Sequence, residues 1–302
     1  MNKNKGQSMK YTFKQFQQEY PNDDACLDAI MEKRYGGIDC CPNCGVVSKL
    51  TRISGRRGYA CKEGCHVFPC VGTPFEHSST PLTLWFHAMY LMTATRNGVA
   101  AKELQRQLGV TYKCAWRIGH ELRKLMAARD KATTPTKLSG HVEIDETYVG
   151  GKRKGKSGRH IENKVVIMGM VQRGGPFKGH VVENDKKRTL LPHIIKDIAR
   201  GTMINSDTLA AYKSLSKIGY GHEAVKHSEY EWVRGIHHTN RIEGFWSHLK
   251  RGISSTHVSV SRQHMQKYVD EFGFRYNNRH APAEMFKRML AHIARAGVTS
   301  SR

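Results

Sequence analysis

From His141 onward, runs with a polar–apolar alternation of two are separated by stretches in which apolar residues recur at helical spacing. HVEIDETYVGG predicts a strand entering a glycine-rich turn, KVVIMGMVQRGG a buried strand ending in a turn, and GHVVENDK a third short strand. KRTLLPHIIKDIAR over 187–200 predicts a helix, with Pro192 near its start where proline is best tolerated. TMINSD predicts a short strand, Leu209 to Ile218 a helix, Glu223 to Lys226 a strand, and Asn240 to about Lys250 a long helix after a loop through Arg234. The order β-β-β-α-β-α-β-α is that of ribonuclease-H-like folds, so the fold class expected is α/β.

Upstream, the pattern is helical. In VAAKELQRQLGVTYKCAWRIGHELRKL, Val99, Leu104 and Leu108 mark a first helix, Gly109-Val110 a turn, and Thr111 a cap for a second helix. This is either a plain αα-hairpin or a helix-turn-helix. As the latter, it would turn Tyr112, Lys113, Arg117 and His120 outward toward base edges and phosphates. The polar stretch Lys131 to Lys137 then separates this region from the strands.

Composition sharpens the picture at the front of the chain. Seven of eight cysteines fall between Cys26 and Cys70. The first twenty residues hold no apolar core before a cleavage site, and the apolar-leaning run Leu82 to Ala94 is too short to span a bilayer. The expected location is the cytoplasm, associated with the nucleoid, where reduced thiols bind metal more readily than they pair. Cys41 and Cys44 form one close pair, and Cys61 and Cys65 a second, together offering a tetrahedral sulfur cage for structural zinc. The second pair is spaced by three residues instead of two, and Cys40, His66 and Cys70 lie near enough to compete. The resulting division is a helical lead-in over 1–38, a zinc ribbon over 39–75, a helix-turn-helix region over 76–130, a linker over 131–140, a ribonuclease-H-like domain over 141–255 and a helical region over 256–302.

Charge points to the partner. Lys and Arg number 49 against 26 Asp and Glu, and the excess of +23 is spread along all 302 residues. Such an excess favours a polyanion, because neutralising phosphates releases counterions. With 39% hydrophobic and 25% charged residues the chain is globular, and no membrane partner is expected.

The candidate chemistry lies in carboxylates. Asp145 sits toward the end of a strand on which Val142 and Ile144 mark one face and Glu143 and Asp145 the other, and Asp207 follows the strand Met203-Ile204-Asn205. Strand ends are where open α/β sheets gather their sites. Glu243 shares a helix face with Asn240 and Lys250, while Phe245, Trp246 and Leu249 take the packed side. Singly, each acid fits a solvated surface as well. Glu143 and Glu146 are alternatives to Asp145, and His237-His238 is a weaker metal pair because adjacent side chains diverge.

Taken together, CPNCG, the segment from TPFEHSSTPLTLW to LGVTYKCAW, HVEIDETYVGGK, INSDTLAAY, HTNRIEGFWSHLKRGI and YVDEFGFRYNNR resemble the insertion-sequence transposases of the ISXO-like group, from about Asp39 to about Arg288. The resemblance implies a zinc ribbon, a helix-turn-helix for the transposon ends and an integrase-type DDE domain. Asp145 and Asp207 match the two metal-binding aspartates and Lys250 the downstream basic residue. The third acidic place carries Asn or Glu in the group. Glu243 is preferred here for its charge, with Asn240 in reserve. Two Mg2+ or Mn2+ ions per site would serve hydrolysis at a transposon end and attack of the freed 3′-hydroxyl on target DNA. Lys250, Arg241 and Arg251 would hold phosphates, and Trp246 would be core. DNA is the partner, and a homo-oligomer is expected because two ends must meet. The rival readings are a DNA-binding regulator with an inert catalytic domain, and a ribonuclease-H-like nuclease that cuts without joining.

Overall fold

The computed structural model describes residues 11–150, 164–207, 210–212, 214–224 and 238–296. It divides into two units. One comprises the chain to Thr95, Ala101–Leu125 and the chain from Ala281; the other comprises Arg96–Ala100 and Met126–His280.

The first unit combines a set of packed helices with a small sheet. Helices α1 (Phe13–Glu19) and α2 (Asp23–Tyr35) precede three strands of two residues each, β1 (Thr51–Arg52), β2 (Tyr59–Ala60) and β3 (His66–Val67), paired antiparallel in that order. Helix α3 (Leu82–Ala94) begins after Pro81, whose side chain cannot cap it. Asp23 does so from α2, accepting from the Leu82 and Thr83 amides at 2.9 Å each, and these bonds hold its carboxyl below the ordinary range despite burial. Helix α4 (Ala101–Leu108) turns at Gly109, with φ of 64°, into α5 (Tyr112–Thr133), where the Thr111 hydroxyl accepts from the Cys114 amide at 3.3 Å. Leu104, Leu108, Ala115, Ile118 and Leu122 are buried, as the amphipathic spacing predicts.

The second unit is mixed α/β. Its sheet has the order β6-β5-β4-β7-β8, with β4 (His141–Val149), β5 (Val165–Gln172), β6 (Phe177–Val182), β7 (Met203–Ser206) and β8 (Gly221–Ala224). Strands β4 to β6 pair antiparallel, while β7 pairs parallel with β4 and β8 parallel with β7. The alternation along β4 and β5 sorts two cores. Val142, Ile144, Val166, Met168 and Met170 pack with Leu190 and Ile194 of α6 (Lys187–Asp197). Val149, Val165, Ile167 and Val171 pack with α7 (Asn240–Gly252) and α8 (Arg262–Asn277). Both faces are covered, which explains why β5 is apolar almost throughout.

Several expected boundaries move. Helix α5 continues to Thr133, into the stretch read as linker, and Leu138 of that stretch is fully buried against the sheet. The segment expected as a helix from Leu209 shows two short 3-10 turns, Ala210–Tyr212 and Ser216–Ile218, with Leu209 and Lys213 outside the described residues. The final helices separate: α8 covers the sheet, whereas α9 (Met285–Ala296) packs with α2 and α3 in the first unit. The loop near Arg234, residues 225 and 226 of the last strand, and His237 of the histidine pair lie outside the described residues.

Candidate active site

The site begins with register. Glu143 of β4 stands opposite Asn205 of parallel β7, so two residues further on Asp145 comes level with Asp207, one position past the end of β7. Both aspartates therefore come side by side on neighbouring inner strands, Asp145 midway along β4 instead of near its end as the sequence suggests. Across the antiparallel pair, Asp145 faces Gly169 of β5. A Cβ at that glycine would lie 2.6 Å from the Trp246 ring, so the missing side chain is what lets the indole settle on the strand. The Trp246 Nε1–H donates to Asp145 Oδ2 at 3.0 Å, so Trp246 is buried as core yet also orients the acid.

The Asp145 carboxyl is pushed up to about 7, first by burial and then by the charges of Asp207 and, more weakly, Glu243. Glu243, in the first turn of α7, thus sits near enough to be felt at Asp145, and its Oε1 accepts from the Thr239 hydroxyl at 2.7 Å. Asn240 is exposed at the first position of that helix. Lys250 and Arg251 are exposed in the last turn, and Arg241 is exposed in the first.

The two alternatives to Asp145 have distinct surroundings. Glu143 is fully buried and accepts from the Arg241 and Ile242 amides at the start of α7 and from Arg173 Nε. Glu146 points to the other face by strand alternation. Burial, followed by the charges of Asp145, Asp207 and Asp185, raises it to about 9, and its Oε1 has no hydrogen-bond partner among the described residues.

In the first unit, the sulfurs of Cys41, Cys44, Cys61 and Cys65 all lie within 4.8 Å of one another. Tetrahedral zinc with Zn–S near 2.3 Å separates sulfurs by roughly 3.8 Å, so the cage has the right size. Among the described residues no other such group forms, and Cys40, His66 and Cys70 stand outside it. The wider second pair is accommodated by a turn in which the Cys61 amide donates to the Cys65 carbonyl at 2.9 Å and the Gly64 amide to the Cys61 carbonyl at 3.0 Å. Backbone amides of Cys44 and Asn43 directed at Cys41 bring its thiol down to about 7, whereas Cys65 is raised by its bond with Cys44 and Cys44 is itself raised, so Cys41 is nearest the thiolate that binds metal.

The comparisons with known proteins match both units. Residues 137–277 match the ISXO2-like transposase domain, and residues 21–67 the transposase zinc-ribbon domain. The chain thus carries a transposase zinc-ribbon domain followed by an ISXO2-like transposase domain. A relative is described as an uncharacterized protein in transposable element ISH50 of Halobacterium salinarum, 28% identical over 256 residues, covering 78% of this chain and 84% of the relative. Two solved structures show distant similarity. The Mos1 strand transfer complex is 11% identical over 72% of this chain and 79% of that one with a TM-score of 0.31, and a pre-cleavage Mos1 transpososome is 10% identical over 72% and 80% with 0.28. Scores at that level establish no shared fold.

The protein is a DNA transposase, and the matched transposase domain runs through the end of α8, beyond the boundary at 255 expected for the catalytic domain. No described helix is long and apolar enough to cross a membrane. On α5, Tyr112, Lys113 and Arg117 are exposed, with the Arg117 guanidinium donating to Ser78 Oγ at 3.2 Å. His120 is a correction: it is 3% exposed and lies against Trp116, ring centroids 3.9 Å apart with the planes inclined at 42°, so it does not face outward. The physical reason is that α5 is covered on more than the side of Ile118 and Leu122: His120 lies roughly opposite those two on the helix, on a side where Arg123 is also 3% exposed. Exposed Trp116 occupies the outward position that the sequence reading passed over, and its signal was spacing four residues from Tyr112.

Proposed function

We propose that the α/β unit of this transposase is a ribonuclease-H-like DDE domain in which Asp145, Asp207 and Glu243 hold Mg2+ or Mn2+, two ions per site. The observation that carries the reading is the register that brings Asp145 on β4 level with Asp207 just past β7; the rise of the Asp145 carboxyl to about 7, by burial and then by the charges of Asp207 and Glu243, agrees with it. All donors are hard oxygens, which suit these cations, and a bound cation would relieve the repulsion. The strand order, three antiparallel strands followed by two parallel ones, supports the fold assignment.

Such ions supply charge neutralisation at the attacking and leaving oxygens of an in-line displacement. The chain's own residues do the placing. Trp246 fixes the rotation of the Asp145 carboxylate, Thr239 that of Glu243, and exposed Lys250, Arg251 and Arg241 offer charge to DNA phosphates. In the first step a water oxygen bonds to phosphorus at the transposon end and the bond to the 3′-oxygen breaks, leaving a 3′-hydroxyl. In the second, that hydroxyl bonds to a target phosphorus and displaces the target's own 3′-oxygen. The first step breaks one phosphodiester to a 5′-phosphate and a 3′-hydroxyl and the second exchanges one phosphodiester for another, so no covalent enzyme intermediate is required. The cysteine cage would hold zinc and fold the ribbon. Helices α4 and α5 would form a helix-turn-helix presenting Tyr112, Lys113 and Arg117 to transposon ends. More than one copy would be needed to hold two ends together.

The test is a labelled transposon end incubated with supercoiled target and Mg2+. Cleavage and joining are expected for the natural chain, whereas Asp145→Asn and Asp207→Asn should bind the end normally and do neither. Normal cleavage by either variant overturns the site, and cleavage with no joining by the natural chain would identify a nuclease. Glu243→Gln should be inactive and Asn240→Ala active; the reverse moves the third ligand to Asn240.

A further inference from the structure

We infer that Glu143 is a positioning residue of the reaction, its buried carboxylate fastening the start of α7 to β4 and thereby setting the reach of Glu243 toward Asp145. The inference rests on the reading of Asp145, Asp207 and Glu243 as the reacting site.

Helices begin with amides that lack intrahelical partners, and the residue before the helix usually caps them with a side-chain oxygen. Thr239 stands in that position on α7 but makes no such bond. Its hydroxyl donates instead to Glu243 Oε1 at 2.7 Å. The amides are satisfied from the sheet: Glu143 Oε2 accepts from Arg241 N at 2.9 Å and from Ile242 N at 3.2 Å. A local cap is thus replaced by a tertiary one, which frees the threonine to orient the proposed ligand.

The strand that supplies this cap also carries Asp145. Glu143 and Asp145 point to the same face two residues apart, a separation of roughly 7 Å along a strand. The distance from strand to helix at this level therefore passes through one carboxylate. Its other oxygen accepts from Arg173 Nε at 3.0 Å and lies 3.3 Å from His238 Nδ1, while Arg173 Nη2 donates to the His238 carbonyl at 3.0 Å. These links hold the backbone immediately before α7 as well. A buried apolar residue would pack the helix at less desolvation cost, so a fully buried charge here has its rationale in directional bonds and in the favourable field at a helix start. With Arg173 and two amides engaged, Glu143 is occupied as an anchor, not as a cation ligand.

The experiment compares full-length Glu143→Gln, and Glu143→Gln combined with Arg173→Met so that no guanidinium is left stranded, with Asp145→Asn. Thermal melting, end binding, and single-turnover cleavage across a Mg2+ titration are measured. Folded variants should bind ends within twofold of the natural chain, cleave at least tenfold more slowly at saturating Mg2+, and require several-fold more Mg2+ for half-maximal rate, with partial recovery in Mn2+. A folded variant with the natural rate and Mg2+ midpoint overturns the inference, as does a rate loss that follows the folded fraction with no change in midpoint. Failure of both variants to fold makes Glu143 a folding residue and also overturns it. If Asp145→Asn cleaves normally, the underlying site reading has failed; if that variant is inactive while the Glu143 variants behave naturally, only the positioning role has.

Discussion

Gly169 governs how closely α7 can approach Asp145. An added Cβ there would meet the Trp246 ring at 2.6 Å and Ile242 Cδ1 at 2.8 Å, both in a packed core with nowhere to yield. Gly169→Ala is therefore expected to cost about 1–3 kcal/mol of stability by overpacking and to slow cleavage by displacing the indole from Asp145. Trp246→Phe removes the Nε1–H donor together with the indole ring atoms that pack on Gly169, so it should also lose about 1–3 kcal/mol, by opening a cavity where Gly169→Ala overfills one; urea unfolding of the two variants checks both losses, and an unchanged midpoint in either would count against this packing. Asp145 also carries a pH signature. Its carboxyl rises from an ordinary 3.8 to about 7 in the folded chain, so without cations the native state binds the proton more tightly than the unfolded state does. The metal-free protein should lose stability as pH climbs through that interval, and Asp145→Asn should lose less. Melting in EDTA from pH 4 to 8 tests this, and a flat difference between the two chains would count against it. The alternation that marks Asp145 as opposite to Val142 and Ile144 is written in the sequence. The use of Glu143 is not, because it depends on which helix start the folded sheet receives.

At the scale of elements, the zinc ribbon has the least to hold it. Its strands are two residues long, and its buried cluster gathers Cys41, Cys61 and Val67 with partly buried Met31, Tyr35, Leu50 and Cys65. Apolar burial of that extent is small against the ordering entropy, and zinc held by the cysteine cage, as proposed, would supply the difference. Cys41→Ser with Cys44→Ser is expected to lose bound zinc and to weaken end recognition, and unchanged zinc content by mass spectrometry would refute the ligand assignment. The pairs Cys41/Cys44 and Cys61/Cys65 were visible as spacing, but excluding Cys40, His66 and Cys70 required the three-dimensional turn at Gly64. Helix α7 shows the same division. Its stripe of Ile242, Phe245, Trp246 and Leu249 follows from periodicity, whereas its extension into a π-helical turn over Ile253–His257 has no counterpart in the apolar pattern. The 3-10 turns near Tyr212 escaped for a related reason: a buried Tyr212 and Leu215 satisfy helical spacing without needing a continuous helix.

For the whole molecule, the excess of +23 converts into a measurable dependence on salt. A protein neutralising about six to ten phosphates loses roughly 10³–10⁵ in affinity between 50 and 200 mM salt. Binding to a transposon end should fall on that scale, with a linear slope on logarithmic axes. The assignment of exposed and buried residues on α5 divides this slope further. Lys113→Ala and Arg117→Ala each remove a cation from an exposed position and should each flatten the slope by about 1 if they contact phosphate. His120 is 3% exposed, so His120→Ala should lower stability by opening a cavity while leaving the slope unchanged. The overall basic charge is legible from composition, yet which cations count is decided by how α5 is rotated, and that rotation is set by the burial of Ala115, Ile118 and Leu122. A salt titration in which His120→Ala flattens the slope as much as Lys113→Ala would show that the opposite face of α5 meets the DNA.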